Sequence, residues 1–150
     1  MKTIFKLTVS AIFCLHVFIS CETTDCITFS TRVVIVEFFD SATSNSKTLD
    51  FELITAIESQ VFFYADTSLS KCYLPVNTDR DQTTFLFINP DNSIDTLEVG
   101  YVRTEGLISK DCGFELQFKN IEIINTTYES AISLENELSR INEENIKIFL

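Results

Sequence analysis

The chain of 150 residues is 45% hydrophobic and 12% aromatic, so it can bury the core of one domain, which excludes a largely disordered protein. Its formal net charge is -11, and because an acidic surface repels phosphate backbones, no nucleic acid partner is expected. With only 3 glycines and 2 prolines, the composition also excludes collagen-like and linker proteins.

The first 20 residues have the layout of an export signal. Lys2 and Lys6 form a short basic start, residues 7–19 carry no charge, and a small residue, Ser20, follows them. A bilayer span needs roughly 20 apolar residues, so this run is short for a permanent anchor. We therefore predict a cleaved signal peptide over residues 1–20. An uncleaved anchor and a buried strand are the alternatives.

The end of this run resembles the lipobox of bacterial lipoproteins. In "FISC", the apolar Phe18 and Ile19 and the small Ser20 precede Cys21, although Phe18 stands where the lipobox more often has leucine. A thiol is a good nucleophile for taking up a diacylglyceryl group, and a small neighbour gives the peptidase access to the bond before it. The resemblance implies lipidation at Cys21, and two or three acyl chains would hold the protein stably on a membrane.

Loss of the signal peptide would remove His16, the only histidine in the chain. Because histidine is the usual general base near neutral pH, the mature chain could not use Ser-His-Asp or Cys-His catalysis. Paired carboxylates and Ser-Lys pairs are chemically possible, but no spacing in the sequence singles out either arrangement. We predict no catalytic residue, no metal site and no cofactor, and therefore a protein that is not an enzyme.

A short tether at residues 21–30 leads into a domain of strands over residues 31–150. Residues 32–40 (RVVIVEFFD) are rich in β-branched and aromatic side chains, which favours a strand. In residues 48–54, alternation puts Phe51 and Leu53 on one face. Further strands are predicted, in chain order, at residues 60–65, 71–76, 83–89, 95–103, 113–124 and 145–150.

Two features of these later strands lead to the predicted fold class. The turn-forming "NPDNS" joins residues 83–89 and 95–103 into a hairpin, and Phe114, Leu116 and Phe118 alternate against polar residues. Residues 128–145 suit either a helix or strands around a turn, and we favour strands. Seven to nine short strands predict an all-β fold, a two-sheet β-sandwich that is immunoglobulin-like or prealbumin-like.

Taken together, these motifs resemble a family of small, uncharacterised lipoproteins of the Bacteroidota, a domain of unknown function. The resemblance covers essentially the whole chain, through the lipobox-like run, "VVIVEFFD", "YLPVN", "DTLEVGY", "LISKDCGFELQF" and "NIKIFL". It is strongest at "SKDCGF" and at the closing strand. It implies a Gram-negative cell envelope, with an anchor most consistent with the outer membrane, and supplies no activity or catalytic residue.

Three cysteines remain once Cys21 is lipidated: Cys26, Cys72 and Cys112. An exported domain meets oxidising conditions, so any one of three disulfides could form, or all three thiols could stay reduced. The resemblance favours Cys26 with Cys112, a bridge that would clamp the tether to the domain. Cys72 would then be a free thiol, more typical of a small buried residue than of a reactive one.

One loop, residues 77–83 (NTDRDQT), has oxygen-bearing side chains at alternate positions, as the first half of a calcium loop does. It lacks the glycine and the distal glutamate of such loops and carries Arg80 in its middle. A polar hairpin loop is the better interpretation.

The leading functional hypothesis is a lipid-anchored, non-enzymatic β-sandwich that binds or braces an unknown envelope protein or glycan. The alternative is a surface module that captures a glycan or a peptide, which an exposed row of aromatic residues on one concave face would favour. A carboxylate-dependent hydrolase is a third hypothesis. It would need two carboxyl groups roughly 5 to 9 Å apart in a cleft.

Overall fold

The computed structural model describes residues 26–28, 30–57, 59–139 and 144–150. Residues 1–20, the predicted signal peptide, and Cys21 lie outside these described ranges. Within the ranges, no helix is long and apolar enough to cross a membrane. The described chain forms nine strands: β1 (Val33–Phe39), β2 (Leu49–Ala56), β3 (Tyr64–Leu69), β4 (Lys71–Pro75), β5 (Gln82–Ile88), β6 (Ile94–Ser109), β7 (Gly113–Thr126), β8 (Ser130–Ser133) and β9 (Ile146–Phe149).

The strands form two packed sheets, which confirms the predicted all-β class and the two-sheet β-sandwich. The four-stranded sheet has the order β4-β1-β9-β8, and the five-stranded sheet has the order β3-β2-β5-β6-β7. Strands β1 and β9 pair in parallel, with Val36 opposite Ile146, and the other neighbours are antiparallel. Because β9 lies between β1 and β8, the last strand is held inside a sheet.

The core lies between the inner faces of the two sheets. Every second side chain of β1 is fully buried, as alternation in a strand with one solvated face requires. The Phe38 ring centroid lies 5.4 Å from that of Phe51 and 5.9 Å from that of Phe87. Tyr128 completes this aromatic cluster, with its ring centroid 5.6 Å from that of Phe87. The two sheets are therefore joined by contacts between large aromatic residues.

Strand β2 departs from the predicted alternation at its centre. Leu53 was predicted to share the buried face of Phe51, but it is half-buried, whereas Ile54 is fully buried. The register of β2 with β3 skips Glu52, and Asp66 on β3 has a φ of 45°. The residues buried beyond this irregularity are Ile54, Thr55 and Ala56, and the pairing of β2 with β3 keeps one register on both sides of it.

Strand β3 begins later than predicted. Only Tyr64 and Ala65 of the apolar run at residues 60–65 belong to it, and the predicted loop supplies the remaining residues. Val61 and Phe62 are exposed in the preceding connection. Strand β3 lies at the sheet edge and pairs with β2. This pairing, rather than the hydrophobic pattern, sets which residues form the strand.

The region that suited either a helix or strands contains β8, so the preference for strands is confirmed there. Strand β8 pairs antiparallel with β9, and residues 140–143 lie outside the described chain. Asn145 precedes β9 and is buried. Its backbone N–H donates to the carbonyl of Ile35 at 2.9 Å, and its Oδ1 accepts from the N–H of Ile35 at 2.8 Å. Asn145 therefore attaches the start of β9 to β1.

Candidate functional site

A disulfide joins Cys26 to Cys112, with their Cα atoms 5.5 Å apart, which confirms the favoured pairing. Cys112 lies in the tight turn between β6 and β7, where its N–H donates to Ser109 Oγ at 3.0 Å. Gly113 completes the turn with a φ of 74°, a conformation that glycine adopts without strain. The bridge therefore clamps the tether to the tip of the β6–β7 hairpin.

This hairpin extends past the end of the sandwich. Strand β6 pairs with β5 only as far as Gly100, which lies opposite Gln82, whereas its pairing with β7 continues to Ser109. We call the two-stranded part from Val102 to Lys119 the hairpin arm; Val102 and Lys119 lie opposite each other at its base. Both strands are longer than the sequence pattern predicted.

The described part of the tether lies beside the arm. The N–H of Ser30 donates to Glu115 Oε2 at 3.4 Å, and the Ser30 hydroxyl donates to the carbonyl of Leu138 at 3.3 Å. A groove of about 490 Å³ separates the tether from the arm, lined by residues that include Thr28, Phe114 and other side chains of both segments. The tether is thus held by the disulfide and by a few hydrogen bonds.

The tip of the arm exposes large apolar side chains. Leu107 and Phe114 lie directly opposite each other and are 60% and 69% exposed, while Ile27, next to the disulfide, is 61% exposed. Phe114 was predicted to alternate inward with Phe118, which is fully buried. The prediction was wrong for Phe114. The alternation of β7 continues past the end of the core, where no second sheet covers the side chains.

A second surface feature is a group of charges on the outer face of the four-stranded sheet. Lys71 Nζ lies 3.4 Å from Glu37 Oε2, and Lys147 Nζ lies 3.0 Å from Glu144 Oε1. Hydrogen bonding between the two carboxyl groups raises the pKa of Glu37 and lowers that of Glu144. Lys147 also lies 4.9 Å from the ring centroid of Phe39. The two acidic and two basic groups largely neutralise one another.

This carboxyl pair does not match the geometry that the hydrolase hypothesis requires. Hydrogen bonding couples the pKa values of the Glu37 and Glu144 carboxyl groups, whereas glycoside hydrolases keep their carboxyl groups roughly 5 to 9 Å apart, with the substrate between them. Each carboxylate is also paired with a lysine. The pair is better suited to linking β1, β4 and the start of β9.

The polar loop between β4 and β5 is held in place through the backbone of Asn77 and the side chain of Asp81, while Asp79, Arg80 and Asp81 are exposed. It is not the hairpin loop that the sequence predicted, because β4 and β5 belong to different sheets. The Tyr101 hydroxyl donates a hydrogen bond to the Asn77 carbonyl at 2.7 Å, and the Asn77 N–H donates to Thr83 Oγ1 at 2.8 Å. Arg103 Nε donates to Asp81 at 2.8 Å. No described group of three or more acidic, Cys or His side chains is arranged to hold a metal ion.

An apolar groove of about 360 Å³ adjoins this loop, between the ends of the two sheets. Its walls include Val61, Phe63 and Val76, with the polar Asn77 and Thr83 at one side. Such a groove could accept an aliphatic or aromatic side chain.

Exposed aromatic residues in the described chain do not form one row. Phe62 lies in the connection before β3, Tyr73 on β4, and Phe114 on the hairpin arm. Cys72, as predicted, is free and buried, and burial raises the pKa of its thiol to about 12. The arm is the feature that sequence reasoning missed. The sequence feature that could have predicted the arm is the alternation of apolar residues on both sides of "SKDCGF".

A model of a family of unknown function, DUF6452, matches residues 51–150. No curated protein and no solved structure matches the chain significantly. The match extends from within β2 to the end of the chain and so includes the hairpin arm and Cys112. It confirms the predicted domain of unknown function and carries no information on lipid attachment or on the source organism.

Proposed function

The chain belongs to the family of unknown function DUF6452, and we propose that it is a lipid-anchored protein of the Bacteroidota cell envelope. In this proposal Cys21 carries the acyl chains, the anchor lies in the outer membrane, and the β-sandwich acts by binding or bracing another envelope component. Catalysis is not part of the proposal.

The disulfide between Cys26 and Cys112 is the observation that carries this proposal. Disulfides persist in oxidising compartments and are rare in the bacterial cytosol, so the bridge supports export of the domain. It also begins only five residues after Cys21. A lipid at Cys21 would therefore be attached through a short segment to a covalently fixed point on the domain.

The chemistry of the described side chains supports a non-enzymatic role. Cys72 is buried, and its raised pKa keeps the thiol protonated, so it is a poor nucleophile. The carboxyl groups with opposite pKa shifts, Glu37 and Glu144, are each paired with a lysine on an open sheet face. The raised pKa of Glu37 comes from its hydrogen bond with Glu144 and from burial, so a structural cause accounts for it.

Processing and fractionation of the full chain in a Gram-negative host would test the anchor. We expect globomycin to cause the precursor to accumulate, and Cys21→Ser to release the protein from the membrane fraction. Cys14→Ser, which changes another cysteine of the same apolar run, is the matched control and should leave processing unchanged. Unchanged membrane association of the Cys21→Ser variant would refute the lipoprotein proposal.

A second candidate function, capture of a surface peptide or glycan, is favoured by one observation. Tyr73 is 54% exposed on the outer face of the four-stranded sheet, directly opposite Ile35 and next to the Lys71–Glu37 ion pair. An aromatic ring beside charged groups is a common element of recognition surfaces.

Binding of the purified protein to glycan and peptide arrays would test this second function. Tyr73→Ala should weaken the binding of any ligand found on the arrays, whereas Ile94→Ala should leave that binding unchanged. Ile94 is the matched control because it is also 54% exposed and lies on the other sheet. Equal loss in both variants would show that the outer face is not the binding surface.

A further inference from the structure

The apolar tip of the hairpin arm is the largest feature that the proposed function leaves unexplained. Leu107, Phe114 and Ile27 are each at least 60% exposed, and the disulfide holds the tether that carries Ile27 at the turn of the arm. Exposed apolar groups clustered in this way commonly mark a contact with a partner or a membrane.

The position of the predicted lipid restricts what this tip can contact. Cys26 is the fifth residue after Cys21, and a fully extended chain over that separation spans at most about 18 Å. Because the Cα atoms of Cys26 and Cys112 are 5.5 Å apart across the disulfide, the turn of the arm must stay within about 24 Å of the acylated residue, however the tether is arranged. The acyl chains themselves lie in the bilayer.

We infer that the tip of the hairpin arm inserts Leu107, Phe114 and Ile27 into the surface of the lipid bilayer that holds the Cys21 anchor. This inference rests on the proposed lipidation of Cys21. The chain from Cys21 to Cys26 and the disulfide to Cys112 keep the turn of the arm near the membrane. The apolar tip is therefore the part of the domain that faces the bilayer. The arm then acts as a spacer that holds the sandwich away from the bilayer.

The charge of the arm indicates which kind of lipid contact is involved. The hairpin arm carries three acidic residues (Glu105, Asp111 and Glu115) and three basic residues (Arg103, Lys110 and Lys119), of which only Lys110 lies near the tip. A segment with this balance gains nothing from anionic headgroups. The contact is therefore apolar, and vesicles of zwitterionic lipid are the appropriate probe.

Tryptophan fluorescence offers a direct test because the chain contains no tryptophan. The acylated mature protein carrying Phe114→Trp would be reconstituted into phosphatidylcholine vesicles whose acyl chains are brominated near the headgroup. Ile94→Trp is the control. Ile94 is also exposed, and it begins the strand that contains Leu107, so the two sites lie about 40 Å apart along β6.

We expect the Phe114→Trp emission to shift to shorter wavelength and to lose most of its intensity in brominated vesicles, with no change for Ile94→Trp. Equal quenching of both, or quenching of neither, would overturn the inference. A blue shift seen in native membranes but not in vesicles would assign the tip to a protein partner and would also overturn it.

Intact mass separates this result from a failure of the proposed function. A protein without acyl chains would refute the lipoprotein proposal and the inference together. A correctly acylated protein whose Phe114→Trp indole stays unquenched would refute the membrane contact alone. Far-ultraviolet circular dichroism would confirm that each variant keeps its β-sandwich.

Discussion

Two buried tyrosines lead to opposite predictions for the same chemical change. Tyr128 lies in the aromatic cluster and is 8% exposed, and its hydroxyl has no hydrogen-bond partner. The Tyr101 hydroxyl instead lies 2.7 Å from both Thr83 Oγ1 and the carbonyl of Asn77. We expect Tyr128→Phe to stabilise the protein and Tyr101→Phe to destabilise it.

The magnitude for Tyr128→Phe follows from the buried hydroxyl. An unsatisfied polar group costs about 1–3 kcal/mol on burial, and the phenylalanine ring keeps the contacts with Phe38 and Phe87. A void of roughly 10 Å³ left by the oxygen costs only about 0.2 kcal/mol. The variant should therefore raise the free energy of unfolding by about 1–2 kcal/mol.

Tyr101→Phe removes two hydrogen bonds and leaves the Asn77 carbonyl without its hydroxyl donor. The expected loss in the free energy of unfolding is about 1–2 kcal/mol, so the two variants should differ by about 2–4 kcal/mol. Burial raises the pKa of both tyrosines, so neither ionises at pH 7.

Urea unfolding at pH 7, followed by far-ultraviolet circular dichroism, would measure both effects. The slope of free energy against urea should stay constant, because neither change alters the surface exposed on unfolding. If Tyr128→Phe lowers the free energy of unfolding as Tyr101→Phe does, its hydroxyl has a partner in solution and the reasoning is refuted.

Three further predictions concern the disulfide, the free thiol and the carboxyl pair. For a separation of 86 residues the chain-entropy model gives about 4.6 kcal/mol. Replacing Cys26 and Cys112 by serine should cost about 2–4 kcal/mol in urea unfolding, because the released tether regains entropy, and a loss below about 1 kcal/mol would contradict this. Cys72 should not react with a thiol reagent at pH 8 until the protein is unfolded, when one thiol per chain should appear; reaction in the folded state would contradict its burial. Glu37→Gln should stabilise the protein at pH 7 by less than about 1 kcal/mol, because the hydrogen bond with Glu144 raises the pKa of Glu37 and so disfavours its ionised form. This gain should vanish as the pH falls to about 4, and a gain that grew on acidification would contradict the assignment.

Several strands could be predicted because local pattern and tertiary burial agree in them. Strand β1 alternates buried and half-buried residues along its whole length, and β5 and β6 pair around the predicted "NPDNS" turn. Where the pattern and the sheet disagree, pairing prevails. Residues 66–69, of which three are polar, form most of β3 because they lie opposite β2, while the apolar Val61 and Phe62 are left exposed.

The candidate site shows the same division. Composition and periodicity along the chain were enough to predict the all-β class and to limit the thiols that could pair, while the export signal before Cys21 stays a prediction. The extension of β6 and β7 beyond the sandwich, which leaves Phe114 outside the core and Phe118 inside it, became visible only in the fold. Alternation specifies the face of a strand on which a side chain lies, but not whether another sheet covers that face.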